Sequence, residues 1–313
     1  MKKFGAYLIN HFHCHSRAGG NPEILKTLDP CLRRDDKNDQ KAIYELGSSW
    51  LLAMICVVFF ANEVNAASKN WDDVLVTDRP DAAEASETVG KYRFQIETSF
   101  AFDHDEDAGV STNNYNFPTL IKFGVTDWAE VRLEAPFLNI QTQTGTSSTT
   151  GFTDIDLGTK VHLQDNEGAA PSLGFLFHLT LPTGKDIFSA NTVEPKFVVL
   201  MDWELPQKFS LGINFGLDIP VTDANGNKFA RFLYAGALNR PLPIPALDDR
   251  LGMFIEFAGA VPMMEGPKGE HRFDTGFGFL LTPDMKIDTF AQVGLTEASP
   301  DIGTGLGFSW RIL

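Results

Sequence analysis

Beyond residue 66 the chain has no cysteine: Cys14, Cys31 and Cys56 all precede it. Disulfide staples and thiol chemistry are therefore excluded from the bulk of the protein. Long hydrophobic runs are also missing after that point. No stretch approaches the ~20 apolar residues of a spanning helix, so any membrane contact has to be made another way. Positive charge is scarce, with 26 Lys and Arg against 41 Asp and Glu and a formal charge of −15, which argues against nucleic acid as a partner. Catalytic signatures are thin. His104, His162, His178 and His271 are the histidines after residue 66, and no serine sits in a G-x-S-x-G elbow. The glycine-rich stretches fall inside strand-like runs and none forms a phosphate cradle followed by a helix. These absences predict a non-enzyme without cofactor or metal; an outer-membrane hydrolase is the weaker alternative.

What is present begins with an export signal. Residues 1–39 mix Gly, Pro and both charges without periodicity and read as an extension outside the fold, translated from upstream of the true start. His11, His13, Cys14 and His15 lie there without a second half of a metal site. Residues 40–66 read as a signal peptide: Lys41, the apolar run Trp50 to Ala61, and the small-x-small site Val64-Asn65-Ala66. The run is too short to cross a bilayer and of the right length for a leader. Residues 67–90 are polar and acidic, precede the first strand-like run and read as either a periplasmic segment or a plug.

From residue 91 to 313 the pattern is period-two alternation. In Phe209–Ile219, Phe209, Leu211, Ile213, Phe215, Leu217 and Ile219 oppose Ser210, Gly212, Asn214, Gly216 and Asp218. At the end of the chain Thr304, Leu306, Phe308, Trp310 and Ile312 oppose Gly303, Gly305, Gly307, Ser309 and Arg311. One greasy and one small or polar face suits a barrel with lipid outside and a polar lumen. The same alternation predicts twelve strands: 91–102, 115–125, 128–138, 153–163, 172–181, 194–205, 209–219, 229–239, 251–261, 271–281, 285–294 and 302–312. The predicted fold is an all-β, transmembrane antiparallel β-barrel of about twelve strands. Short turns at Thr126-Asp127, Pro206–Lys208 and Pro283-Asp284 should face the periplasm. Longer loops at 104–114, 139–152, 182–193, 220–228 and 262–270 should face outward. The Pro-rich stretch 240–250 is long for a periplasmic connection.

Several short motifs carry a family resemblance. They are Thr77-Asp78-Arg79-Pro80-Asp81, then Gln95-Ile96-Glu97, Phe123-Gly124-Val125-Thr126-Asp127, Asp154-Ile155-Asp156-Leu157-Gly158, Leu181-Pro182-Thr183-Gly184 and Asp274-Thr275-Gly276-Phe277. In this order and spacing, over roughly residues 76–313, they resemble the bacterial outer-membrane barrels grouped as transporters of the phenol-degradation meta pathway. The resemblance implies a Gram-negative outer-membrane location and a channel role, with no reliable substrate. Gly305, Gly307, Trp310 and Ile312 are similar to the C-terminal signal read by the barrel-insertion machinery, although the usual terminal Phe is absent.

Alternation assigns Glu97, Lys122, Glu130, Arg132, Glu134, Asp154 and Asp156 to the lumen, with Lys160, His178, Asn214, Asp218, Glu256, Asp274 and Arg311. Mixed charges there can brace the wall in cross-strand pairs or line a pore whose carboxylate excess favours neutral or cationic solutes. Asp78, Arg79 and Asp81 are candidates for a plug that folds back into the barrel. Asp103, Asp105, Glu106 and Asp107 read as an acidic outer loop. The expected partners are outer-membrane lipid, the insertion machinery and a small-molecule solute. The expected work is passive passage of small molecules, aromatic or hydrophobic ones among them; a non-conducting structural or adhesive barrel is the alternative.

Overall fold

The computed structural model describes residues 71, 73–134, 138–222 and 228–312. The extension and signal peptide expected over 1–66 lie outside the described residues. Among the described residues, fifteen strands appear in chain order. The first eight are β1 (Phe94–Asp107), β2 (Val110–Asn116), β3 (Thr119–Thr126), β4 (Ala129–Glu134), β5 (Asn139–Gln143), β6 (Thr149–Gly151), β7 (Ile155–Gln164) and β8 (Ser172–Leu181). Seven follow: β9 (Glu194–Leu205), β10 (Phe209–Thr222), β11 (Lys228–Pro241), β12 (Leu251–Pro262), β13 (Glu270–Thr282), β14 (Met285–Gly294) and β15 (Ile302–Ile312).

Twelve of them close a ring. Starting from β1, the order is β3, β4 and then β7 to β15 in sequence, and β15 pairs back onto β1 from Phe94↔Ile312 to His104↔Ile302. Every pairing is antiparallel. Closure leaves the ring no free edge, so the backbone polar groups of the wall are satisfied within it, as a bilayer demands.

The predicted strands all exist; the first outer loops do not. Residues 104–114 continue β1 to Asp107, turn at Ala108-Gly109 and return as β2, which pairs with β1 from Ala101↔Asn116 to Asp107↔Val110. β2 and β3 flank Phe117-Pro118, where a proline without an N–H interrupts the ladder. Much of 139–152 is likewise strand, β5 against β2 and β6 against β5. The acidic run in 103–107 reads as a loop by composition, but cross-strand pairing carries it as wall. Asp103 accordingly points inward, 2% exposed, and accepts from Asn116 (3.3 Å) and Gln292 (3.0 Å). The stretch 242–250 is indeed a long connection, with a short 3-10 turn at Pro245–Leu247.

The two faces of the wall separate cleanly. In β10, Leu211, Ile213, Phe215, Leu217 and Ile219 point out while Gly212, Asn214, Gly216 and Asp218 are buried. Outward phenylalanines meet across strands, Phe215 with Phe232 at 6.0 Å and Phe177 with Phe197 at 5.2 Å between ring centroids. Inside, two kinds of lining share the circumference. β1, β3, β4 and β7 present buried Glu97, Lys122, Glu130, Arg132, Asp156 and Lys160. β8, β9, β11 and β12 also present Leu176, Val198, Leu200, Leu233, Ala235, Ala237, Ala258 and Ala260, all buried.

Candidate functional site

The inside of the ring is crossed by the residues that precede β1. The Leu75 N–H donates to the Pro283 carbonyl at 2.7 Å, fixing the entry beside the β13–β14 turn. Lys286 of β14 then holds Thr77 Oγ1 (2.6 Å) and the Arg79 carbonyl (2.7 Å).

Asp78 is the hub. Its carboxylate receives the Lys122 ammonium at 2.8 Å, the Lys160 ammonium at 2.8 Å and the Arg132 guanidinium at 3.0 Å, with all four side chains at most 3% exposed. Its N–H donates to the Glu97 carboxylate (3.2 and 3.3 Å), which also takes Lys122 at 2.5 Å. Charges taken out of water cost several kcal/mol each unless paired and hydrogen-bonded, and here acids and bases alternate so that each is met.

The chain then crosses to the far wall. Arg79 pairs with Asp288 at 3.2 Å. Glu256 of β12 accepts the N–H groups of Ala82 (2.7 Å) and Ala83 (2.6 Å). Those two residues pack against Leu233, Ala235, Ala237, Ala258 and Ala260, where small side chains leave room for a backbone. Asn214 closes a two-way pair with Glu84, accepting its N–H at 2.6 Å and donating to its carbonyl at 3.0 Å. The Glu84 carboxylate pairs with Arg132. Ser86 donates its N–H to Asp202 (2.7 Å) and meets Ser172 hydroxyl to hydroxyl at 2.7 Å. At Gly174 a Cβ would come within 2.9 Å of the Ser86 carbonyl oxygen, so the approach needs glycine in the wall. The Val89 N–H finally donates to Glu130 at 2.8 Å. Between the segment and the wall a cavity of about 20 Å³ remains, lined in part by Glu84, Glu97, Arg132 and Glu134; that is room for roughly one water molecule.

The residues read from the sequence as lumen lining are all inward and buried, and all but Glu134 and His178 fall into three groups. Glu97, Lys122, Glu130, Arg132, Lys160, Asn214 and Glu256 grip residues 78–89. A second group lies beyond the segment, nearer the outer rim. There Asp218 pairs with Arg231 (2.5 Å), Arg272 donates to Asp274 (2.8 Å), and Thr180 donates to Asp156 (2.7 Å). Asp154 pins the 182–193 loop by accepting the N–H groups of Gly184 (2.9 Å) and Ala190 (2.7 Å). Arg311 sits at the opposite rim, bonded to Asp284 (2.7 Å) and Asp73 (3.0 Å), which also receives Arg93 at 2.5 Å. The Arg93 hydrogen bond, reinforced by Arg311, holds the Asp73 carboxyl below the usual aspartate range. Asp81 lies between Arg79 and Ala82, half-buried.

Several partners of the segment carry no distinctive motif: Lys286, Asp288 and Ser172. Lys286 and Asp288 alternate with Ile287 in β14, and that alternation is the signal that finds them. The histidine rings bond to Asn113 (from His104), to Asp165 and the Ser86 carbonyl (from His162), and to Tyr234 (from His271). None of these partners is a serine hydroxyl. Gly305, Gly307, Trp310 and Ile312 lie in β15, with Trp310 across from Ile96 and Met285.

A family model described as the putative MetA-pathway of phenol degradation matches residues 77–312. The chain belongs to this family. The matched span begins at Thr77, immediately before the hub residue, and so includes both the crossing segment and the whole ring. Among solved structures, the COG4313 outer membrane channel from Pseudomonas putida F1 superposes with a TM-score of 0.56 at 13% identity, covering 72% of this chain and 98% of that one. The NanC porin superposes with a TM-score of 0.46 at 10% identity, over 70% of this chain and 100% of that one. No curated protein matches the chain in sequence. The fold is that of an outer-membrane β-barrel.

Proposed function

We propose that this member of the family is an outer-membrane channel for passive passage of small molecules, aromatic or hydrophobic ones among them, and that residues 67–90 act as its plug. The observation that carries the reading is the crossing segment itself: a polar-lined, lipid-faced barrel holds Asp78 to Val89 by wall groups all around its interior. The family description, the phenol-degradation pathway, supports aromatic solutes, and the Pseudomonas putida barrel of the same fold is described as a channel. A carboxylate-rich outer half of the lumen disfavours anions. The solute gradient supplies the driving force.

The same segment favours a second reading, a barrel that never conducts and serves a structural or adhesive role. Planar-bilayer conductance and liposome swelling on the mature chain and on a variant lacking residues 67–90 separate the two. A channel with a plug is expected to show low conductance that rises several-fold on truncation. Absence of passage in both forms would overturn the channel, and equal passage in both would remove the plug.

A further inference from the structure

We propose that Glu134, Asp156 and His178 form a binding site for a divalent transition-metal ion of the zinc class on the inner wall, beyond the plug. The three residues come from adjacent strands β4, β7 and β8. Glu134 lies directly across from Asp156, and His178 sits across from Gly158, two residues from Thr180, which faces Asp156. Register alone therefore brings one imidazole and two carboxylates to a single patch. One ligand atom from each lies within 4.8 Å of the other two, and all three residues are buried. His178 Nδ1 stands 3.8 Å from Asp156 Oδ2, too far for a hydrogen bond. Two ligands of one ion stand roughly 3–4 Å apart when each bond is about 2.0–2.2 Å, so small side-chain rotations complete the set.

The independent observation is the imidazole. His178 is 1% exposed, and neither ring nitrogen has a hydrogen-bond partner. A buried polar atom left without a partner is unfavourable, and a metal bond satisfies one of the two nitrogens. The ring lies over Gly158, where a Cβ would approach Nε2 to 2.9 Å, so the wall is cut away to seat it. Thr180 donates to Asp156 Oδ1 at 2.7 Å and orients the carboxylate, the supporting role that metal ligands ordinarily receive. Lys196 lies across from His178 on β9 and offsets one of the two carboxylate charges, which lowers affinity without filling a ligand position. A mixed nitrogen and oxygen set suits zinc and its neighbours better than calcium or magnesium.

The mature chain, purified in detergent without a histidine tag and stripped with a chelator, is titrated with Zn²⁺ by calorimetry and with Co²⁺ by visible absorption. One ion per barrel is expected. Affinity should fall at least about tenfold in His178→Gln, Asp156→Asn and Thr180→Val, hold in His104→Gln, and rise in Lys196→Met. Heat-modifiable gel mobility establishes that each variant is folded. Should His178→Gln fail to fold, Asp156→Asn and Lys196→Met still test the site by opposite shifts. Absence of stoichiometric binding to the wild type, equal affinity for Ca²⁺ and Zn²⁺, or binding indifferent to the Asp156 and Lys196 changes would overturn the proposal.

Discussion

Asp78 and Lys122 stand 44 positions apart in sequence and meet at 2.8 Å inside the barrel, one from the crossing segment and one from the wall. With Arg132 and Lys160 on the same carboxylate, this contact joins three wall strands to a single residue of the segment.

Asp78→Asn is expected to release the segment and leave the barrel folded. Removing one partner of a buried ion pair costs roughly 3–5 kcal/mol, and here three wall cations lose their shared anion. That cost is relieved when the segment leaves and water enters. Conductance should rise toward that of the truncated protein, with protease sensitivity appearing between residues 73 and 90. Gly174→Val should produce the same phenotype by size alone, since its side chain would occupy the space of Ser86. Unchanged conductance and protection in both variants would sink the idea.

The facing of β10 gives a stability prediction. Ile213→Arg puts a charge on the lipid side, which costs about 2–4 kcal/mol near the bilayer midplane. Asn214→Arg faces inward and should fold with far less penalty. It also loses the two hydrogen bonds to Glu84, so it should raise conductance as well as shift ion selectivity. Reversible denaturant unfolding in bilayers, with reversal potentials, measures both effects. Equal destabilisation by the two changes would mean that β10 is not a two-faced wall strand.

At the rim, Asp73 bonds Arg93 and Arg311. Because its carboxyl is held below the ordinary range, its contribution is fully present above the unfolded value and is lost as pH falls through the lower, folded one. Anchoring of the segment's start should therefore be constant from neutral pH down to about pH 4 and weaken below that. Asp73→Asn should abolish this low-pH step. A cysteine-labelling profile at residue 71 against pH reads it, and a step that persists in the variant would assign it to another group.

The strands were legible because a wall between lipid and a polar interior imposes period two on every residue, and Phe209–Ile219 obeys it without exception. The β1–β2 hairpin was not, because Asp103 to Asp107 looks like a solvated loop by charge, and only pairing with β2 and β15 keeps it in the wall. That the charged residues face inward was readable from alternation. What each one holds was not: Glu256 and Asn214 bind backbone groups of Ala82, Ala83 and Glu84, contacts that leave no trace in side-chain type. That Glu134, Asp156 and His178 come together is equally silent in sequence, since they are spread over three strands and joined only by register.

The alanines and leucines on the inward faces of β8, β9, β11 and β12 have a consequence once residues 82 and 83 withdraw. One flank of the passage then offers water fewer hydrogen bonds, because leucine, valine and alanine are set among Lys196, Asn214 and Glu256, while the flank made by β3, β4 and β7 keeps its ions hydrated. Water would thin against the first and crowd against the second. A flat molecule with a ring on one edge and a hydroxyl on the other would travel with its orientation set, ring along the dry flank and hydroxyl toward the wet one. Selection in such a passage rests on how polarity is distributed across the solute, as much as on its width.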